Sequence, residues 1–233
     1  MRKLSFVLMA VIAISFIGCK KEMISVSSPS TSQLTMYHGD TRQITAESDY
    51  DIKYSSQNDY HATVSDKGLI TAQYVGTTII KVDSKYDSRE ITVTVSPRSK
   101  LYPGPNISIG ETKSSIIERF GEPDVDLGLG IGYRNYSTKT AGLAVIFDDN
   151  QRCTEYTVLV KEEYSSEIDT FLSERYNFYY GVMYIDALDI TKATMKITAS
   201  SYDSDLWEVD YKSSKSKIDI DKADIDALLK AFN

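Results

Sequence analysis

The 233-residue chain predicts a mainly β protein with an α+β part: an N-terminal β-sandwich, then an α+β domain of helix-plus-antiparallel-sheet units. Three observations predict this class. From Ile24 to Ser96, short apolar stretches recur at close spacing without a helical period. The stretch "PRSKLYPGPN", residues 97–106, gathers three of the five prolines. Beyond it, amphipathic helical stretches alternate with strand pairs. The boundaries that follow are 1–18 for a leader, 24–97 for the sandwich, 98–106 for a linker and 107–233 for the second domain.

The leader opens with Arg2 and Lys3, followed by fourteen uncharged residues, Leu4 to Ile17. A membrane-spanning helix needs about 20 apolar residues, whereas this run has the length of a signal-peptide core. It ends in Phe16-Ile17-Gly18-Cys19, which resembles the lipobox of bacterial lipoproteins, with Phe in the usual place of Leu. That resemblance implies cleavage between Gly18 and Cys19, a diacylglyceryl thioether on the Cys19 thiol, and acylation of the new amino group. An ordinary signal peptide or an ordinary core cysteine is the alternative. Each buried methylene contributes about 0.8 kcal/mol, so one acyl chain holds marginally and two or more hold stably. Lys20 and Lys21 differ from the Asp that retains enterobacterial lipoproteins at the inner membrane, and Lys20-Lys21-Glu22 resembles the lysine-plus-acidic export tag of Bacteroidota surface lipoproteins. The expected location is the cell envelope, lipid-anchored at the outer membrane and facing the periplasm or the surface.

Composition narrows the partners. The formal charge is −7, and residues 1–18 carry two positive charges and no acidic ones, which leaves the remaining 215 residues at −9. An acidic chain without a basic stripe argues against nucleic acid. Cys153 is the only other cysteine, so each domain is expected to hold by its apolar core and not by an internal disulfide.

In the first module the strand-like stretches are "QLTMY", "RQITA", "DIKYSS", "ATVS", "LITA", "TTIIKV" and "EITVTVS". Alternation is clearest in the last, where Ile91, Val93 and Val95 face one way and Thr92 and Thr94 the other. Asp66-Lys67-Gly68 supplies the residue types of a tight hairpin. Tyr54-Ser55-Ser56, Ala62-x-Val64-Ser65, Gly68 to Ala72, and Gly76-Thr77-x-Ile79 stand in order before a closing strand, and "LTMYHGDTRQITA" precedes them. Together they resemble the bacterial Ig-like domain group 2, with Tyr54 replacing the family's Trp. The resemblance implies a sandwich used as a spacer or adhesive module, without catalytic apparatus. Both histidines lie here: His38 reads as a turn residue and His61 as a solvated one.

In the second module, "ETKSSIIERFGEP" predicts a helix capped by Thr112 or Ser114, with Ile116, Ile117 and Phe120 on one face and Gly121 to Pro123 as its stop. "LAVIF" and "EYTVLV" read as strands joined by Asp148-Asp149-Asn150. "SSEIDTFLSERY" reads as a second helix, with Ser166 and Asp169 at capping-box spacing. Strands follow in "YYGVMYI", "ATMKITA" and "LWEVDYK". "DKADIDALLKAF" carries Ile225, Leu228, Leu229 and Phe232 at i, i+3, i+4, i+7, the stripe of an amphipathic helix. The order suggests two crude repeats. "SIGETKSSIIERFGEPD" resembles the helix-turn of small envelope lipoproteins and β-lactamase-inhibitor-like folds, which implies a role in protein–protein contact.

Candidate chemistry is sparse. "LGLGIGY", residues 127–133, departs from the dinucleotide fingerprint and reads as a strand with a bare backbone face that a helix or ring packs against. The carboxylate pairs Asp148/Asp149, Glu162/Glu163, Asp203/Asp205 and Asp219/Asp221 sit in polar stretches without the environment that separates two pKa values. Cys153 has no histidine in its domain and reads as a small buried thiol. Trp207, Tyr202, Tyr179 and Tyr180, among neighbouring aromatics Tyr176, Phe178, Tyr184 and Tyr211, are either core or an exposed stacking platform. The expected function is therefore a non-enzymatic, lipid-anchored envelope protein whose Ig-like module presents a C-terminal protein-interaction domain. A glycan-binding lipoprotein using Trp207, Tyr202, Tyr179 and Tyr180 is the second reading, and an extracytoplasmic hydrolase the third. No cofactor or metal is expected.

Overall fold

The computed structural model describes residues 25–28, 32–181 and 183–215. Gly18 and Cys19, the leader, and the C-terminal amphipathic stretch lie outside the described residues. The described chain is mainly β, and its first strands are β1 (Ser25–Ser28), β2 (Gln33–Tyr37), β3 (Thr41–Gln43), β4 (Thr45–Glu47), β5 (Lys53–Ser56), β6 (Ala62–Val64), β7 (Leu69–Ala72), β8 (Gly76–Asp83) and β9 (Ser88–Ser96).

These strands form a four-stranded sheet in the order β2-β9-β8-β5, a three-stranded sheet β3-β7-β6, and the pair β1-β4. Strand β2 runs parallel to β9, and the other pairings in the module are antiparallel. The alternation read from the sequence is realised: Leu34, Met36, Ile80, Val82, Ile91, Val93 and Val95 face Ile44, Ala62, Ile70 and Ala72 across the core, with Tyr54 packed against them. "RQITA" departs from the single strand expected. It divides at Ile44, whose side chain enters the core while its N–H donates to the Gly68 carbonyl at 2.9 Å, and β4 then leaves β7 to pair with β1. Gly68 has φ +78, and a Cβ there would meet the Ile44 carbonyl oxygen at 2.5 Å, so both the turn and the close backbone approach require glycine.

The second part contains helix α1 (Lys113–Phe120) and helix α2 (Ile168–Ser173), with strands β10 (Val125–Asp126), β11 (Gly130–Arg134), β12 (Thr140–Phe147), β13 (Cys153–Lys161), β14 (Asn177–Tyr179), β15 (Met183–Ile185), β16 (Met195–Ser201) and β17 (Leu206–Ser213). Instead of two repeats, the strands join one antiparallel sheet of eight in the order β10-β11-β12-β13-β17-β16-β15-β14. The last described strand, β17, inserts between β13 and β16 and so ties the halves together. Helix α1 is capped by Thr112, whose hydroxyl accepts from Ser115 N, and ends at Gly121 with φ +87. Helix α2 is shorter than expected, because Glu162–Glu167 form a 3-10 helix ahead of it. The capping box at Ser166 and Asp169 does not form; the Asp169 carboxylate instead accepts from the Tyr184 hydroxyl.

Both helices lie on one face of this sheet. Ile116 of α1 and Ile168, Phe171 and Leu172 of α2 share a core with Ile131, Leu143, Val145, Val158, Val160, Ile197, Val209 and Tyr211. The segment read as a linker between domains contributes to the same core, since Leu101 and Tyr102 are buried there. The Tyr102 and Tyr211 hydroxyls lie 2.8 Å apart, Tyr156 stacks on Tyr211 at 4.5 Å, and Tyr102 meets Phe171 at 4.3 Å. Apolar burial outweighs the linker-like composition because two large side chains have a core within reach.

Candidate functional site

The four aromatics considered as one platform do not come together. Trp207 is half-buried on the helix-bearing face, packed against the core, and pairs in register with Val160 and Ser201. Tyr202 packs on the opposite face, beside Ala144, Ile146 and Leu159. Tyr179 and Tyr180 stand at the far edge of the sheet, on the hairpin of β14 and β15. Ser201 pairs with Trp207 and the next residue, Tyr202, turns to the other face, which explains the first separation; the strand order β17-β16-β15-β14 puts the hairpin at the far edge and explains the second. Tyr156 and Tyr211 are core residues and Tyr176, partly buried, packs against them; burial raises the Tyr176 hydroxyl to about 12, and burial likewise raises Tyr156 and Tyr211.

What remains exposed is the hairpin. Phe178 is 53% exposed and Tyr180 85% exposed, with Leu188 also open to solvent. Tyr179 meets Tyr180 edge-on at 4.5 Å, and Phe178 leans on Tyr184 at 4.7 Å. Tyr180 has φ +48 and is followed by Gly181 at φ +72. The left-handed conformation costs a non-glycine residue about 1 kcal/mol, so an aromatic side chain is held outward at a position where glycine would be more stable. Asn177 braces the base by donating through Nδ2 to the Ala187 and Leu188 carbonyls.

The same hairpin adjoins the junction with the N-terminal module. Tyr60 and Tyr74, from the β5–β6 and β7–β8 connections, stack at 4.7 Å. The Tyr60 hydroxyl donates to the Arg175 carbonyl at 2.8 Å, and the Tyr74 hydroxyl to Asn177 Oδ1 at 3.3 Å. Val75 N donates to the Glu174 carbonyl at 2.9 Å. The buried Glu174 carboxylate accepts from Arg98 N at 3.1 Å and Ser99 N at 3.0 Å, with Arg175 Nη1 at 3.6 Å. Burial raises the Tyr60 pKa, as expected for a neutral hydroxyl committed as a donor. Sequence reading missed this junction. Its residues are unremarkable locally and acquire meaning only when two distant loops meet α2.

His38 is exposed in the β2–β3 turn, its Nδ1 against the Gln73 carbonyl. His61 departs from the solvated reading: its ring lies over Gly76, where a Cβ would stand 2.2 Å from it, and Nδ1 is 3.2 Å from the Tyr74 carbonyl. Among the described residues, no group of three or more His, Cys, Asp or Glu is placed to hold a metal. Cys153 is buried, and burial pushes its thiol up to about 12. Asp148 and Asp203 cap turns, accepting from Asn150 N and Arg152 N, and from Asp205 N and Leu206 N. Asp219 and Asp221 lie outside the described residues. "LGLGIGY" forms the β10–β11 turn and β11, with Gly130 and Gly132 on the face away from the helices.

On that same face lies a buried polar group. Glu155 is 2% exposed, and Lys212 Nζ stands 3.0 Å from its Oε1, an ion pair without an aligned hydrogen bond. The Thr157 hydroxyl donates to Asp210 Oδ1 at 2.6 Å, and Lys212 lies 3.7 Å from Asp210 Oδ2. Burial raises the Glu155 pKa, and Lys212 offsets this only in part.

No curated protein matches the chain. Among solved structures, it is similar to a bacterial Ig-like domain-containing GH10 xylanase from termite gut, at 21% identity and a TM-score of 0.26, over 30% of this chain and 20% of that one. It is also similar to the surface layer protein SbsC. For SbsC domains 1–6 the identity is 13% and the TM-score 0.28, over 81% of this chain and 21% of that one. For SbsC domains 5–6 the identity is 13% and the TM-score 0.27, over 83% and 85%. No described helix is long and apolar enough to cross a membrane. Residues 21–97 match the family model for the bacterial Ig-like domain (group 2), and the N-terminal module is such a domain.

Proposed function

We propose that this chain is a cell-surface protein held to the membrane by lipid on Cys19, in which the Ig-like domain is a fixed spacer and the second module, an α+β domain, contacts a protein partner through the 177–188 hairpin region. The observation that carries the reading is the junction. Tyr60, Tyr74 and Val75 bind directly to the α2–β14 segment, so the Ig-like domain sets the orientation of the adjoining hairpin. Phe178 and Leu188 are apolar without a polar tip, which favours an apolar protein surface as the counterpart. The function requires no catalytic step. The outward Tyr180, with Tyr179 against it, also fits a stacked sugar ring, and this supports glycan binding as the second reading.

Two experiments test these statements. Cys19→Ser should leave an unprocessed precursor that takes up no labelled fatty acid; normal maturation of that variant removes the anchor from the proposal. For the contact, the soluble chain beginning at Lys20 is screened on a glycan array, with Phe178→Ala and Tyr180→Ala beside it. A signal that both variants lose establishes the glycan reading and sinks the protein reading. Silence on the array, with photocrosslinks from position 180 to one envelope protein, supports the protein reading.

A further inference from the structure

The Ig-like domain has two ends that carry different chemistry. At one end Tyr60, Tyr74 and Val75 bind the second module. Strand β8 runs from Gly76 at that end to Asp83 at the other, about 23 Å at the rise of a strand. At this far end the turn 84–87 is closed by Ser84 N, which donates to the Asp87 carbonyl at 2.9 Å. Lys53 pairs with Asp83, which brings the connection entering β5 beside that turn. Tyr86 is 60% exposed and Tyr50 36%, and their rings meet edge-on at 5.1 Å. Lys85 Nζ stands 5.1 Å from the Tyr50 ring and 4.9 Å from the Tyr86 ring. Neither ring is part of the sandwich core. An open cleft of about 310 Å³ lies here, lined by Tyr50, Asp51, Lys53, Asp83, Ser84 and Lys85.

We propose that this far end is a lipid-contact surface, with the Tyr50–Tyr86 pair and Lys85 seated in the headgroup layer of the bilayer that carries the anchor. The proposal rests on the lipid at Cys19 argued above. Ser25 pairs with Glu47, three residues before Tyr50, so β1 begins at this end of the domain. Cys19 lies six residues before Ser25, and six residues reach at most about 22 Å. A lipid on Cys19 therefore keeps this end within that distance of the bilayer surface. Tyrosine and lysine are also the residue types that settle at a membrane–water interface, the ring among the headgroups and the ammonium on phosphate. The cleft is mixed in charge, with Asp51 and Asp83 beside Lys53 and Lys85. That mixture fits a zwitterionic headgroup, whose phosphate meets an ammonium and whose ammonium meets a carboxylate, better than a uniformly anionic surface. With this end seated, the junction and the hairpin beside it face away from the membrane.

The test supplies the anchor chemically, so it reads the surface whether or not the cell acylates Cys19. The chain from Cys19 is coupled through that thiol to a dialkyl maleimide lipid, while Cys153 is buried and stays unmodified. Trp207→Phe removes the sole tryptophan, and Tyr86→Trp or Tyr180→Trp then places a single reporter. The vesicles are phosphatidylethanolamine and phosphatidylcholine, part of the latter bearing a nitroxide on its headgroup. Emission from position 86 should fall by about half or more and that from position 180 by about a tenth or less, because interfacial aromatics sit at headgroup depth. Adding Tyr50→Ser and Lys85→Glu to the position-86 reporter should restore most of the emission. Equal quenching at the two positions overturns the proposal, and so does no quenching at 86, which leaves the pair to a soluble occupant. Quenching at 86 that survives both added substitutions overturns it too, since it shows proximity without contact. Should the chain with both substitutions fail to fold, Lys85→Glu alone makes the same comparison. Failure of the natural anchor is read separately, by fatty-acid uptake in the Cys19→Ser experiment, so the two failures are distinct.

Discussion

Glu155 is the buried charge whose titration the fold alters most informatively. Burial raises its pKa, and the Lys212 ammonium at 3.0 Å reverses only part of that rise. The folded value therefore lies above the unfolded value of about 4.3. Folding favours the protonated form, so the contribution to stability is full below the unfolded pKa and is lost as pH rises through the folded one. Glu155→Gln keeps the shape of the protonated form and removes the titration. Denaturant melts at acid and neutral pH should show less decline with rising pH in the variant than in the wild type; an equal decline would place the pH dependence elsewhere. Lys212 is not the source, because burial lowers its pKa but its acidic neighbours raise it further, and its loss of charge falls at alkaline pH. Trp207 is the second informative residue. It is half-buried against the tyrosine-rich core, so Trp207→Ala should cost about 2–3 kcal/mol, below the 3–5 kcal/mol typical of a fully buried aromatic. Partner binding with little loss of stability in that variant would contradict this placement.

At the scale of elements, the β14–β15 hairpin and the helix-bearing sheet obey different demands. Sheet strands satisfy their backbone by pairing and their side chains by burial, and alternation alone places Leu143, Val145, Val158 and Val209. The hairpin instead holds Tyr180 in the left-handed region, with its ring in solvent. Tyr180→Gly should raise stability by about 0.5–1 kcal/mol by relieving that conformation. It should also weaken the contact made by this edge. If thermal melts show a loss of stability instead, Tyr180 is held by packing and the strain argument fails. The element boundaries that the sequence pattern missed share one cause. The "RQITA" strand breaks at Ile44, and the second helix starts late, because a tertiary partner competes for the group that local pattern assigned: the Gly68 carbonyl in one case and the Tyr184 hydroxyl in the other.

For the whole molecule, the junction decides whether two modules act as one body. Glu174 is buried and accepts from the backbone of Arg98 and Ser99, just past the last strand of the Ig-like domain. Leu101 and Tyr102 are anchored in the second core a few residues on. The Glu174 bonds to the Arg98 and Ser99 N–H groups and the burial of Leu101 and Tyr102 fix the backbone of this segment, while the Arg98 and Lys100 side chains, Pro103 and Gly104 are exposed. Glu174→Ala strands the N–H groups of Arg98 and Ser99 and should cost about 1–3 kcal/mol. It should also split a single calorimetric transition into two and open 98–102 to limited proteolysis. A wild type that already melts in two well-separated steps, with no change in the variant, would show that the modules are uncoupled.

The Ig-like sandwich was legible residue by residue, because its turns carry their own glycines at 39 and 68 and its alternation needs only near neighbours to be read, even though β2 pairs with β9 and β5 with β8. Helix α1, the Asp148–Asn150 turn and the buried state of Cys153 were legible for the same reason, each being set by residues within a few positions. Other features depended on tertiary structure alone. Strand β17 pairs with β13 some fifty residues away, and that register sets Trp207 opposite Val160 in the helix-bearing core. The Tyr60 hydroxyl and the Arg175 carbonyl meet across more than one hundred residues of chain. Local sequence sets backbone preference and which side of a strand is apolar; it carries no record of which distant strand lies alongside. That choice is made by the burial gained when whole faces close together, which is a property of the folded chain.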